Sequence, residues 1–504
     1  MKSFSLRLLL TFSLLVYLVA VQASPADTDD TLQMARELAW KKQFTAAARL
    51  LDVYNRHHHQ PEALLLHAQV LYWNEETGGA EEIYQRAIQL FPAWYPLQSE
   101  YASMLFELGR YREAKTMLQR VVDKDQMNTK ARFQLAQLNY WQNNTNVARR
   151  LLNTILETDP GYQGAASLLR QIEQYNLPAL SAAFDYQSDD QPLKAGRTAL
   201  VYTAAVSSLW SPLLSLSYSG VDVNARTGKF YGVEAGNVFT LNYGKTRLKL
   251  QAGVCGPRDT AVFVTGGMEL KQRVSQIFSA DAFLRQEVYQ HTAASIVHPF
   301  VYQLAGVAVN FNRGDKWLGR AGYETRFFKD DDQLQSAYAW MLAPVLSGDE
   351  LMLQAGYAFY FADSRSNRFI PKTAVTPANI DHEVAGHYDP YFTPQNQSVH
   401  MAMISARVHA GAALQFFLKA SYGFSAAVDN TALIVQQPVN GEASVTAYYY
   451  RHRYHPVEAE TGFSWRPAGR FSILADYSYH SLFFYKRHEA SLQLIYRLNH
   501  GRRD

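Results

Sequence analysis

Cysteine is almost absent from this chain. Cys255 stands alone, so no internal disulfide staples the fold, and packing and backbone pairing must hold it. Net charge is scarce too: 48 Lys and Arg against 45 Asp and Glu leave +3 over 504 residues. Such a weak field excludes nucleic acid and argues against any strongly electrostatic partner. After the first 23 residues no stretch approaches the roughly 20 apolar residues of a membrane-crossing helix, so any passage through a bilayer has to be made by strands. Common catalytic motifs are missing as well. The polar cluster Asp381, His382, Glu383, His387 and Asp389 has no serine elbow, paired carboxylate frame or metal spacing beside it, and is expected to be an exposed loop, not a catalytic site. The run His57–His59 lacks a carboxylate at ligand spacing and is expected to be a solvated turn. No metal and no cofactor is expected.

What is present begins with a basic start (Lys2, Arg7), the apolar run LLLTFSLLVYLVA and the small-residue end VQAS. These make a secretory signal peptide over residues 1–23, with cleavage after Ala23. No cysteine lies there to carry a lipid. Aromatics are abundant, with 32 Tyr and 27 Phe, yet mean hydropathy stays negative, so apolar and polar residues must be finely interleaved.

From 28 to 175 the pattern is helical and recurs every 34 residues, at Ala46, Ala80, Ala114 and Ala148 and again at Ala68, Ala102 and Ala136, the period of a helix–turn–helix repeat. Tyr84, Leu118 and Leu152 keep the same beat, and Pro92 and Pro160 close their units. In ELGRYREAKTMLQRVV, Gly109 suits a tight turn, Tyr111 an inter-helix contact and Ala114 a helix crossing. This segment resembles the tetratricopeptide repeat. About four repeats are expected, the first degenerate, forming a solenoid whose concave face suits a protein partner.

After YNLPAL the period becomes two. Thr246, Leu248, Leu250, Ala252 and Val254 oppose Arg247, Lys249, Gln251 and Gly253. Ala321, Tyr323, Thr325 and Phe327 oppose Arg320, Glu324 and Arg326. The runs from Phe416 and from Phe471 split in the same way, with Leu474 off pattern. A soluble sandwich also alternates, but strand length, strand number and aromatics near strand ends favour a transmembrane antiparallel β-barrel over 180–504 with about 14–16 strands. The fold class is thus α + β multidomain. The polar set is expected to line the lumen, with Arg247, Lys249, Arg320, Glu324, Arg326, Arg407, Lys419, Asp476 and Arg497 as candidates; pairing of such charges across the wall is the plainer alternative. The last strand, SLQLIYRL, is followed by NHGRRD instead of ending on an aromatic.

Helical repeats ahead of such a barrel resemble the exopolysaccharide export porins, namely the outer-membrane subunit of bacterial cellulose synthase and the poly-N-acetylglucosamine porin. YFTPQ, with Tyr391, Phe392, Pro394 and Gln395, looks like the Tyr-Phe-x-Pro-Gln signature of the cellulose family barrel. The family's repeat region is longer than four repeats, so a shorter relative handling another polymer is expected. The resemblance implies a non-enzymatic porin in the bacterial outer membrane, its repeats in the periplasm. Its expected partners are outer-membrane lipid, a polysaccharide chain and periplasmic or inner-membrane synthase components. The alternatives are a barrel-embedded enzyme acting on lipid or glycan and a plugged-barrel receptor or scaffold. Tyr391 and Phe392, at the end of an excursion between Tyr360 and Gln397, are expected to anchor at the membrane rim.

Overall fold

The computed structural model describes residues 28–498 except 176, 192, 205, 224–225, 258–261, 315, 349, 374, 376–379, 412, 440–441 and 468–469. The expected signal peptide, residues 1–23, and the tail after residue 498 lie outside the described residues. By contacts the chain forms two units, one reaching Leu138 and taking Glu157–Pro160, the other comprising Asn139–Leu156 and everything from Gly161.

The helices are α1 (Thr28–Trp40), α2 (Phe44–His57), α3 (Pro61–Trp73), α4 (Thr77–Leu90), α5 (Tyr95–Glu107), α6 (Tyr111–Lys124), α7 (Thr129–Trp141), α8 (Thr145–Thr158) and α9 (Gln163–Tyr175). Each of α2, α4, α6 and α8 starts just after a residue with positive φ: Lys42 (58°), Glu75 (66°), Gly109 (73°) and Asn143 (65°). Only at Gly109 does the sequence meet that demand with the residue that adopts it freely. The small positions follow the helices. Ala80, Ala114 and Ala148 have no exposed surface, nor do Ala68, Ala102 and Ala136. In the first repeat the expected Ala46 is exposed, and its neighbour Ala47 is buried instead. The reason is phase: the positive-φ turn at Lys42 precedes that at Glu75 by one residue less than the 34-residue beat. Tyr111 sits half-buried at the start of α6, its ring 5.5 Å from Phe106. His57, His58 and His59 are exposed, and His58 stacks on Tyr54 at 4.6 Å.

The strands are β1 (Ala179–Asp189), β2 (Leu193–Thr203), β3 (Trp210–Val223), β4 (Arg226–Leu241), β5 (Thr246–Pro257), β6 (Phe263–Arg273), β7 (Phe278–Val288), β8 (Val301–Arg313), β9 (Trp317–Phe327), β10 (Gln333–Ser347) and β11 (Leu351–Ser364). Three short strands follow, β12 (Phe369–Pro371), β13 (Glu383–Val384) and β14 (Gly386–Tyr388). Then come β15 (Gln395–Ala410), β16 (Leu414–Val439), β17 (Glu442–Tyr454), β18 (Val457–Trp465), β19 (Phe471–Ser481) and β20 (Lys486–Arg497). Both β17 and β18 pair with β16, in succession, and form one interrupted barrel strand. β20 returns to pair with β1 from Ala179↔Arg497 to Asp189↔Arg487, so the sixteen antiparallel strands close and leave no edge to pair with another chain.

Alternation decides the two faces. The register joins Leu250 to Met268 and Met268 to Leu284, all exposed. One residue along it joins Lys249 to Glu269, Phe283, Gly306 and Glu324 on the opposite face. Exposed aromatics gather where strands begin or end, among them Tyr202, Trp210, Phe278, Trp317, Trp465 and Tyr496. Amphipathic rings of this kind sit at a bilayer's headgroup level. The connections at the end where the chain enters β1, hereafter the turn end, are short; the long ones, residues 289–300 and 365–394, lie at the opposite, loop end. The latter connection is shorter than the excursion expected from the sequence, because β11 runs on to Ser364.

Candidate functional site

The inner wall is a lattice of side chains from alternate residues, set by strand register. All nine lumen candidates fall on this face. Some of them are tied up. Arg320 of β9 donates to Asp281 at 2.7 Å and to Asn310 at 2.6 Å, and its Nε donates to the Tyr338 hydroxyl at 3.2 Å. This polar rung crosses four neighbouring strands. Lys419 reaches Glu460 at 2.9 Å, and Lys249 comes within 4.0 Å of Glu269, which also holds Arg285 at 2.9 Å. Asp476 accepts from Ser491. Arg247, Glu324, Arg326 and Arg407 make no ion pair with another described residue. The wall therefore offers both satisfied rungs and free charges.

At the loop end two connections fold inward. The first carries α10 (Ala293–Val297), capped by Thr292, whose side chain accepts from Ser295 N. Ile296 and Ala293 of this helix pack on Leu193, Val221 and Val223, inward residues of β2 and β3. The second is residues 365–394. Its β12–β14 pair runs from Phe369↔Tyr388 to Pro371↔Gly386, and its β13 pairs with the distal part of β16 through Glu383↔Ile434.

Tyr388 to Phe392 then crosses the mouth. On one side the carbonyl of Pro390 accepts from Thr292 Oγ1 at 2.7 Å, and Tyr391 packs with Tyr289, Phe300 and Phe328. On the other, Phe392 stacks on Phe484 at 4.6 Å, and Tyr388 meets the same ring edge-on at 5.2 Å. Thr292 belongs to the β7–β8 connection and Phe484 to the β19–β20 connection. These lie half the ring apart in the strand order, so the segment, with the two connections it touches, links opposite sides of the mouth.

This geometry corrects the expected rim anchoring. An anchor in lipid headgroups must be exposed, whereas Tyr391 has 0% exposure. It lies parallel to Phe328 at 3.7 Å and donates its hydroxyl to Asp332 at 3.1 Å. Burial opposes charge on Asp332, but hydrogen bonds from Ser366, Tyr391, the Gln333 N–H and Arg368 prevail and hold its carboxyl below the ordinary range. The same burial, with Asp332 nearby, raises the Tyr391 phenol. Pro394 and Gln395 lock the end of the loop: the Pro394 carbonyl accepts from Ser364 N at 3.0 Å, and Gln395 Nε2 donates to the Ser364 and Ser366 carbonyls. His387 Nε2 stands 4.0 Å from Asp389 Oδ2, and burial raises the Asp389 carboxyl while His387 opposes that shift. No group of three or more His, Cys, Asp or Glu able to hold a metal occurs among the described residues.

Sequence reasoning identified YFTPQ but missed its partners Tyr289, Thr292, Phe328, Asp332 and Phe484. None of them shares a short-range pattern with it.

Among known proteins, a tetratricopeptide repeat model matches residues 105–172. No curated protein sequence matches the chain. Of solved structures, a bacterial polysaccharide outer membrane secretin is similar over 64% of this chain and 99% of its own, at 10% identity and TM-score 0.48. YrrB, described as a TPR protein with an unusual peptide-binding site, covers 32% of this chain and 82% of its own at 19% identity and TM-score 0.28. MamA 41-end from Desulfovibrio magneticus RS-1 covers 30% and 86% at 16% identity and TM-score 0.27. The chain thus has a helical, tetratricopeptide-like region, matched by the repeat model over residues 105–172, followed by a closed barrel of sixteen antiparallel strands with an outward apolar belt and exposed aromatics at the strand ends.

Proposed function

We propose that this protein is an outer-membrane porin for export of an exopolysaccharide, its repeats standing in the periplasm and docking synthesis or modification partners. The observation that carries the reading is the inner wall. A closed barrel with hydrogen-bonding groups, charges and aromatic faces on its inner side suits a hydrated glycan, which must bind well enough to enter and weakly enough to leave. The repeats add the usual means of gripping a protein partner. Passage is passive, driven by synthesis behind the chain. Deleting the gene and analysing cell-surface and secreted glycan tests this: loss of one polymer is expected, and unchanged polysaccharide, under conditions where the protein is made, would sink it.

A second reading, a plugged-barrel receptor or scaffold, is favoured by one observation, the Tyr388–Phe392 segment across the mouth. Planar-bilayer recordings separate the two. A porin with a movable bridge conducts once the bridge is loosened, whereas a scaffold stays closed. The enzyme alternative predicts turnover of a lipid or glycan by purified protein that is lost in His387→Ala.

A further inference from the structure

The inward charges are not evenly spread along the barrel. Near the turn end stand Arg247 and Lys249, second and fourth in β5, with Lys271 and the terminal Arg273 on β6. Arg407 stands three residues before the turn end of β15, at Ala410. Nearby carboxylates are already taken: Asp281 is bound by Arg320 at 2.7 Å, and Glu269 serves Arg285 and Lys249. Arg247 and Lys271 are directly opposed across the β5–β6 ladder, an arrangement that costs stability because like charges on facing residues repel. Both are exposed, as is Arg273, and none of these three, nor Arg407, has an ion-pair partner among the described residues. Toward the loop end the inner face carries both signs side by side, Asp185 opposite Arg197, Glu324 beside Arg326 and Glu489 beside Arg487.

We propose that the turn-end mouth of the lumen, built around Arg247, Lys271, Arg273 and Arg407, is a capture site for an anionic polysaccharide, one bearing carboxylates such as uronic acids. This rests on the export reading and names its substrate class. A polyanion lying between Arg247 and Lys271 relieves their repulsion, which explains why the pair stays unsatisfied. A basic entrance raises the local concentration of such a chain. The wall beyond it mixes both signs and holds a polyanion less strongly than the entrance, so that capture does not become trapping. A neutral glycan gains nothing from this layout, and a cationic one meets its barrier at the entrance.

The test is calorimetric titration of the full-length protein in detergent micelles, where both mouths are open to solvent. The probes are oligogalacturonate, a cello-oligosaccharide and a chitosan oligosaccharide of equal length. Oligogalacturonate is expected to bind most tightly, to weaken as salt rises, and to lose about tenfold or more of its affinity in Arg247→Glu/Lys271→Glu. Arg247→Gln/Lys271→Gln should lose less. The shift between boiled and unboiled bands on a gel verifies that each variant folds, and the glutamine pair stands in if the glutamate pair does not. Equal or tighter binding of the neutral or cationic probe overturns this inference and leaves polysaccharide export standing. Oligogalacturonate binding that is unchanged in the folded variants overturns the site. Failure of all three probes to bind overturns the inference and the export reading together.

Discussion

Replacing Tyr391 should open the barrel without unfolding it. The ring has no exposed surface, lies flat on Phe328 at 3.7 Å, and is surrounded by Tyr289 and Phe300. Truncating a buried aromatic to alanine costs about 3–5 kcal/mol in lost contacts and residual cavity. Here the cost falls on the docked loop, because the sixteen-stranded ladder closes through β1 and β20 without it. At about 1.4 kcal/mol per tenfold, the undocked population of residues 365–394 should rise by roughly two to three and a half powers of ten in Tyr391→Ala. Tyr391→Phe keeps the stack and removes only the donor to Asp332. It should cost about 1.5 kcal/mol, roughly tenfold, as for a hydrogen bond to a charged group. Single-channel recording reads the effect as conductance and open time, rising in the order wild type, Tyr391→Phe, Tyr391→Ala. Limited trypsin digestion gives an independent measure, since Arg368 is held by Asp330 and Asp332 in the docked loop and should become more readily cleaved when it lifts. Boiled and unboiled gel mobility must stay as in wild type, to show an intact barrel. If Tyr391→Ala has wild-type conductance and wild-type resistance to trypsin, the bridge does not govern the mouth and the reasoning fails.

Three further outcomes follow from local structure. Asp332 has a lowered carboxyl pKa in the folded loop, so its contribution is fully present above the unfolded value of about 3.9 and is lost as pH falls through the lower folded value. Channel opening should therefore rise on acidification below about pH 4, and Asp332→Asn, measured by the same recording, should be more open at neutral pH and lose that acid response. Gly109→Ala forces a Cβ into the turn at φ 73° and should destabilise the repeats by about 1 kcal/mol, read as a lower denaturant midpoint by circular dichroism. Gly356→Ala drives a Cβ into the Met341 carbonyl oxygen on the neighbouring strand. Backbone cannot yield there cheaply, so the fraction of heat-modifiable, folded barrel should drop sharply.

The division between legible and illegible parts has a physical cause. A repeat or a strand is specified by short-range periodicity, because each helix pair or hairpin meets mainly its neighbours. The 34-residue alanine beat and the two-residue alternation are therefore written openly, down to which face Arg247 or Lys419 occupies. The slip in the repeats, Ala46 for Ala47, arose because the α2–α3 connection, residues 58–60, is one residue shorter than its counterparts 91–94 and 125–128, and a fixed period cannot see that. The path of residues 365–394 was different in kind. It depends on contacts between connections half a barrel apart, such as Thr292 with Pro390 and Phe392 with Phe484, and an aromatic loop reads the same whether it meets lipid, glycan or another loop.

Yet one signal lay in the strands themselves. Leu193, Val221, Val223 and Phe230 occupy inward positions near the loop end, and each is buried. On a water-filled wall, apolar groups there would leave surface exposed that folding ought to cover. An inversion of the alternation at strand ends thus marks where something must pack inside. Ile296 packs on the first three of them and also approaches Phe230, both lying within 3.0 Å of the space a Cβ at Gly228 would fill. The same reasoning, applied to Val399 and Met401 of β15, points to inner-wall packing at that side too, where they cluster with Val428 and Tyr454 and Phe483 of the β19–β20 connection rests against them. Inward apolar residues at the loop end therefore encode the docking of the connections.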